Sequence, residues 1–210
     1  MYLPKLFEEN SLEVMHQLMR DRPLATVITL SSQGLNANHI PLHLAAIENS
    51  YGVLRGHVAR SNSIWSDLQN TEVLAIFHGP EGYVSPSWYA NKKETGKVVP
   101  TWNYAVVHAH GTLSVIDDPA WIRTQLETLT DQQEEAHPEP WSVADAPHEY
   151  TQKLLEAVVG IEIRIAKLSG KWKVSQNQPP QNQMGVISGL DGLKRPEAAA
   201  MANLMKLRLP

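Results

Sequence analysis

The chain has 210 residues, 42% of them hydrophobic, with 18 lysines and arginines against 22 carboxylates and no cysteine. That length allows one large domain, or one domain with an appendage, and a core that needs no staples; the missing thiols exclude a disulfide framework, an iron–sulfur cluster and a thiolate zinc site. No apolar run approaches the ~20 residues that cross a bilayer, and the first nine residues lack the basic-then-apolar profile of a secretory signal, so a cytoplasmic protein with no membrane partner is expected.

The net charge of −4 conceals a skew. Residues 1–159 carry 10 basic and 19 acidic side chains, whereas residues 160–210 carry 8 basic and 3 acidic. A basic end on an acidic body can meet nucleic acid, a phosphate or the body of a second subunit, or it can be a solvated face.

Asn10-Ser11 followed by Leu12, Met15, Leu18 and Met19 reads as a capped amphipathic helix ended by Pro23. Residues 25–30 form a strand closed by Ser31-Ser32-Gln33-Gly34. Residues 36–47 and 51–58 form a strand pair, with Pro41 marking an edge or a bulge. A short helix is expected over 61–69, capped by Ser61 or Asn62, then strands over 73–78 and 104–116. Asp118-Pro119 starts a helix over 119–133, and another spans 147–158. Residues 161–165 and 171–175 alternate apolar with polar and read as two final strands. A polar stretch over 178–183 precedes a helix from Pro196 to about Leu207. This is an α+β pattern, mainly β: an antiparallel six- or seven-stranded split β-barrel with flanking helices. The expected division is a barrel domain over 1–177 and a helical extension over 178–210 packing on the barrel or on a dimer.

Three segments carry chemistry. Residues 54–62 end a strand and open a helix with Arg60 at the junction, where free backbone N–H groups and a guanidinium suit a phosphate; the bland alternative is a surface arginine. Tyr83, Trp88, Tyr89, Trp102 and Tyr104 place five aromatics within 22 residues, either a wall for a flat conjugated ligand or ordinary core packing. Between them residues 91–97 read as a lid or a solvated loop. His39, His43, His57, His78, His108 and His110 recur in the barrel region without the geometry a metal site requires, and no metal is expected. No serine sits in a Gly-x-Ser-x-Gly turn, and no catalytic residue stands out beyond His39 and His57, imidazoles that titrate near neutrality.

Tyr2-Leu3-Pro4 with Phe7, Asn38-His39-Ile40-Pro41-Leu42, Gly56-His57-Val58-Ala59-Arg60-Ser61-Asn62, Tyr83-Val84-Ser85-Pro86-Ser87-Trp88-Tyr89, Val99-Pro100-Thr101-Trp102-Asn103-Tyr104 and Gly170-Lys171-Trp172-Lys173-Val174-Ser175-Gln176-Asn177 occur in that order. This ordered set resembles the PaiB family, FMN-binding negative transcriptional regulators related to the pyridoxine-phosphate-oxidase-like split barrels. The resemblance implies an FMN-binding homodimer with the flavin between subunits. It implies that Asn38, His39, Ile40 and Pro41 run along the flavin ring, with His57 and Val58 near the ribityl chain. Arg60, Ser61 and Asn62 would surround the phosphate, and Trp102, Asn103, Gln176 and Asn177 would approach from the partner subunit. The oxidases commonly carry Arg-x-x-x-x-Lys where this chain reads Asn38 to His43, so the resemblance leaves Arg60 as the principal phosphate partner. Two further readings stay open: an FMN-dependent oxidoreductase acting on a small molecule, and a haem-binding or haem-degrading relative. DNA contact would fall to the basic end, through Lys194, Arg195, Lys206 and Arg208, since no helix-turn-helix is evident.

Overall fold

A computed structural model of the chain describes residues 1–32, 34–45, 47, 50–62, 65 and 69–209. The helix expected over 61–69 falls largely outside them. The rest form two compact units. One comprises residues 1–15, 78–107 and 169–210; the other comprises residues 16–77 and 108–168.

In chain order come β1 (Glu8–Glu9), α1 (Leu12–Asp21), β2 (Leu24–Ser31), β3 (Gly34–Pro41), β4 (His43–Ala45), β5 (Val53–Ala59) and β6 (Thr71–Val84). There follow α2 (Lys92–Thr95), β7 (Thr101–Ile116), α3 (Pro119–Glu134), α4 (His148–Glu156), β8 (Val158–Lys173), α5 (Pro180–Gly192) and α6 (Pro196–Lys206). The strands hydrogen-bond in the order β3-β2-β6-β7-β8-β5-β4, with β1 also on β8. The registered ladders are antiparallel, and β3 and β4 at the ends of this order leave the sheet open. The architecture is therefore the α+β split barrel, with eight strands among the described residues where six or seven were expected.

In the unit of residues 16–77 and 108–168, β2 buries Ala25 and Val27 while Leu24 and Leu30 face out, the alternation of a half-buried strand. Phe77, Leu54, Ile161, Ile163, Leu113 and Ile122 complete its core. Full burial of each such side chain contributes ~1.5–3 kcal/mol. The start of α3 is as the sequence indicates: Asp118 accepts from the Ala120 N–H at 2.9 Å, and Pro119 opens the helix.

The other unit departs from the sequence reading twice. The two final strands are one continuous strand, β8. Between the two expected segments Gly170 serves close packing: a Cβ there would lie 2.9 Å from the Met15 Sδ and from the Trp172 ring. The polar stretch from Gln178 leads into α5, which was not expected. Gly185 and Gly189 both lie against Trp88, where a Cβ at Gly189 would come within 2.2 Å of the indole. Val186, Ile187 and Leu190 of α5, and Ala198, Met201, Ala202 and Met205 of α6, are buried together in this unit. Three residues join the two helices, and Lys194 adopts φ 53° there.

Candidate functional site

Arg55 and His57 alternate with the buried Leu54, Gly56 and Val58 along β5. At Gly56 a Cβ would lie 2.8 Å from the Leu42 Cδ2 and 2.9 Å from the Pro41 carbonyl oxygen. Only glycine lets the end of β3 come this close to β5. The consequence is visible at the strand ends, where the Asn62 Nδ2 donates to the Asn38 Oδ1 at 3.0 Å. Two sequence-predicted segments, 38–41 and 57–62, are thereby brought side by side. Asn38 is half-buried, His39 exposed, and the Ile40 and Val58 side chains are buried, so Ile40 and Val58 can offer a ligand only their backbone.

Arg60 sits where β5 ends. Its Nε donates to the Glu156 carbonyl at 2.9 Å and its Nη2 to the Val158 carbonyl at 3.1 Å. Nη2 and Nη1 also grip the two oxygens of Asp117 at 2.6 and 3.1 Å. Hydrogen bonding from Arg60 holds the Asp117 carboxyl below the usual carboxylate range, and the same contact raises Arg60. A guanidinium has five N–H groups, and four are spent here. The fifth has no partner among the described residues and could meet a phosphate. Ser61 beside it is exposed, and Trp65 donates its indole N–H to the Arg60 carbonyl at 2.8 Å.

Helix α3 supplies partners that sequence reasoning missed. The Gln125 Oε1 accepts from His57 Nδ1 at 2.9 Å, and the Gln132 Oε1 accepts from His43 Nδ1 at 2.9 Å. The available signal was Gln125 next to the apolar stripe of Ile122, Leu126 and Leu129, a polar residue that α3 buries to 3% exposure.

The candidates on β7 and after β8 lie in the other unit and differ sharply among themselves. Trp102 is exposed and packs edge-to-face on Tyr83 with ring centroids 6.0 Å apart. Asn103 is fully buried, its Nδ2 donating to Ser175 Oγ at 2.9 Å. Gln176 spends its amide on the backbone, accepting from Val174 N and donating to the Trp172 and Leu6 carbonyls. Asn177 is exposed. Of the five aromatics, Trp88 packs on α5, Tyr89 is buried with its hydroxyl pushed up by that burial, and Tyr104 lies under the Lys171 ammonium. The wall thus reduces to Tyr83 and Trp102. Nearby, Lys173 donates to the Thr101 hydroxyl and the Trp102 carbonyl; burial, with Lys171 adding to it, lowers its pKa.

Among the described residues no three histidines or carboxylates converge as a metal site, and no helix is long and apolar enough to cross a membrane. The donor set suits a phosphorylated, polyhydroxylated, flat molecule better than a cation. It offers an exposed hydroxyl at Ser61, the carboxamides of Asn38 and Asn62, one guanidinium N–H, and the open outer edge of β3 for a polar ring edge. Asn38, Asn62, Arg60 and Ser61 are the residues in this unit that fit FMN.

The comparisons agree. The family model described as "Putative FMN-binding domain" matches residues 1–167. An uncharacterized protein of Emericella nidulans is 36% identical over 99% of this chain and 97% of its own length. The protease synthase and sporulation protein PAI 2 of Bacillus subtilis is 30% identical over 100% of this chain and 98% of its own. Among solved structures, the FAD and Heme binding protein from Mycobacterium smegmatis superposes with a TM-score of 0.61 at 18% identity, covering 84% of this chain and 78% of that one. The flavocytochrome Anf3 from Azotobacter vinelandii gives 0.55 at 16%, covering 79% and 69%. At those identities the structural likeness carries the fold.

Proposed function

The chain belongs to the PaiB family of FMN-binding split-barrel proteins, and from that premise we propose that it acts as a cytoplasmic homodimer that represses transcription, with FMN between the subunits. FMN is its cofactor. When bound, the flavin supplies reversible electron uptake, and the protein sets its polarity and access. The regulatory role rests on full-length likeness to PAI 2, whose name ties that protein to protease synthesis and sporulation. The dimer is supported by exposed apolar groups: Tyr83 with Trp102, and the cross-strand pair Leu30 and Leu35. The test is sedimentation of the FMN-loaded protein at micromolar concentration, followed by a mobility shift on the DNA upstream of its own gene. A flavin-loaded monomer refutes the shared site, and no shift in either flavin redox state refutes direct repression.

One observation favours the oxidoreductase as the second reading. Of the four cations available for DNA, Lys206 pairs with Asp191 at 3.0 Å and Arg208 pairs with Glu9. The basic end is thereby half neutralised, and bleaching of the flavin by a reduced nicotinamide would support the enzyme.

A further inference from the structure

β4, β5 and α3 line a half-open cavity of about 350 Å³ that none of the flavin chemistry above uses. His43 and Arg55 are cross-strand partners and so share the face turned to it. From the opposite side α3 contributes Trp121, Thr124, Gln125 and Thr128, a spacing that keeps them on one side of the helix, and its cap Asp118 adds a carboxylate to the same wall.

The polar atoms around it are incompletely used. Gln125 is 3% exposed; its Oε1 is bound by His57, while its Nε2 has no hydrogen-bond partner. A buried donor left unmatched costs stability, and native proteins keep few of them. Arg55 spends its Nε on Glu162 at 2.9 Å and lies 5.9 Å from the Trp121 ring centroid. Its two terminal nitrogens have no hydrogen-bond partner among the described residues. Thr124 and Thr128 give their hydroxyl protons to the Ala120 and Thr124 carbonyls at 3.1 and 2.8 Å, so only their lone pairs are left for the cavity. His43, bound through Nδ1 to the carbonyl of Gln132, keeps Nε2 as an acceptor.

The wall therefore combines donors on Gln125 and Arg55 with acceptors on Thr124, Thr128, His43 and the Asp118 carboxylate. A volume near the bottom of the ~300–1,000 Å³ range of small-molecule sites admits a ligand of few heavy atoms. We propose that this cavity binds a small carboxylate that also carries a hydroxyl or amino group. The carboxylate meets the Arg55 guanidinium and the Gln125 amide, and the ligand's own donor meets the Asp118 carboxylate and the threonine oxygens. Water is the competing occupant.

The FMN-loaded, ¹⁵N-labelled protein is titrated with L-lactate, with propionate (no hydroxyl) and with lactamide (no carboxylate), each to about 50 mM, a concentration that detects millimolar affinity. The expected result is saturable shifts of the Gln125 carboxamide and Trp121 indole resonances with lactate, weaker shifts with propionate and none with lactamide. The flavin absorption should not move. Arg55→Gln, and independently Gln125→Met, should weaken lactate by about tenfold or more, the loss of one charge-assisted hydrogen bond. Absence of saturable shifts at these resonances would leave water as the occupant and overturn the proposal. Lactate that displaces FMN would assign the binding to the flavin site and overturn it equally. Should Gln125→Met fold poorly, Arg55→Gln at the half-exposed position decides alone.

Discussion

Arg60 and Asp117 face each other fork to fork, with Nη2 donating to Oδ1 at 2.6 Å and Nη1 to Oδ2 at 3.1 Å. The guanidinium that motif reading assigns to a phosphate is thus already matched by a carboxylate of its own chain. Asp117 follows the last residue of β7, and nothing in its local sequence distinguishes it from the neighbouring helix cap Asp118.

In the proposed site, where Arg60 meets the FMN phosphate, Asp117 is the phosphate's competitor for the guanidinium. Asp117→Asn removes the negative charge paired with Arg60 and should tighten FMN by about twofold to fivefold, the range expected for an exposed ion pair. Arg60→Ala should weaken FMN by at least ~10-fold through the lost charge-assisted contact, while riboflavin is affected equally little by both changes. Fluorescence titration of apo protein reads both. Because the carboxyl of Asp117 is held below its ordinary value, the pair is fully formed above the usual aspartate pKa of ~3.9 and is lost as pH falls through the lowered value. Throughout neutral pH it stays closed. An unchanged FMN affinity in both variants would remove Arg60 from the site.

Asn103 and Asn177 separate a structural amide from one available to a ligand. Asn103 exchanges hydrogen bonds with Ser175 in a fully buried position, so Asn103→Ala should cost about 2–4 kcal/mol, from a cavity plus a stranded hydroxyl. Asn177→Ala at an exposed position should leave the melting temperature unchanged and lower FMN affinity in the dimer. Calorimetry paired with flavin titration gives the two readouts. A thermally silent Asn103→Ala would contradict the buried network.

Gly185 and Gly192 belong to the same helix and should respond oppositely to alanine. A Cβ at Gly185 would sit 2.0 Å from the Trp88 carbonyl oxygen, a backbone atom that cannot swing away; nothing lies within 4 Å of one at Gly192. Gly185→Ala should destabilise by about 2–3 kcal/mol, and Gly192→Ala should stabilise by up to ~1 kcal/mol through helix propensity. Urea denaturation midpoints with unchanged slopes would establish both signs.

The same glycines explain where the sequence misled. Strand β2 and helices α1, α3 and α6 carry their own punctuation in Pro23, Asp118-Pro119 and Pro196, so local chemistry marks their limits. Helix α5 and the continuity of β8 depend on Trp88 and Met15, distant partners whose approach turns a glycine from a breaker into a packing surface. The site divides in the same way. Asn38 and Asn62 lie in motifs that could be read, whereas their mutual hydrogen bond and the contacts of Asp117 and Gln125 arise only in the tertiary structure.

Ion pairing at the basic end sets the expected salt dependence of any DNA binding. Lys206 and Arg208 are held by Asp191 and Glu9, whereas Lys194 and Arg195 at the α5–α6 turn have no carboxylate partner among the described residues. The exposed positions of α6 offer Glu197, Asn203 and Lys206, and its other face buries Ala198, Met201, Ala202 and Met205. Such a helix is poorly equipped to read a groove. A dimer using only Lys194 and Arg195 from each chain would neutralise four phosphates, giving a slope of about −3.6 in log affinity against log salt; recruitment of all four cations per chain would approach −7. Lys194→Gln with Arg195→Gln should then abolish the shift at ~150 mM salt, while Lys206→Gln leaves it nearly unchanged. FMN affinity should stay at the wild-type value in every one of these variants. A slope near −7 would show that DNA breaks the Asp191 and Glu9 pairs and that the whole basic end is the interface. Retention of binding in the double variant would place the DNA contact elsewhere on the chain.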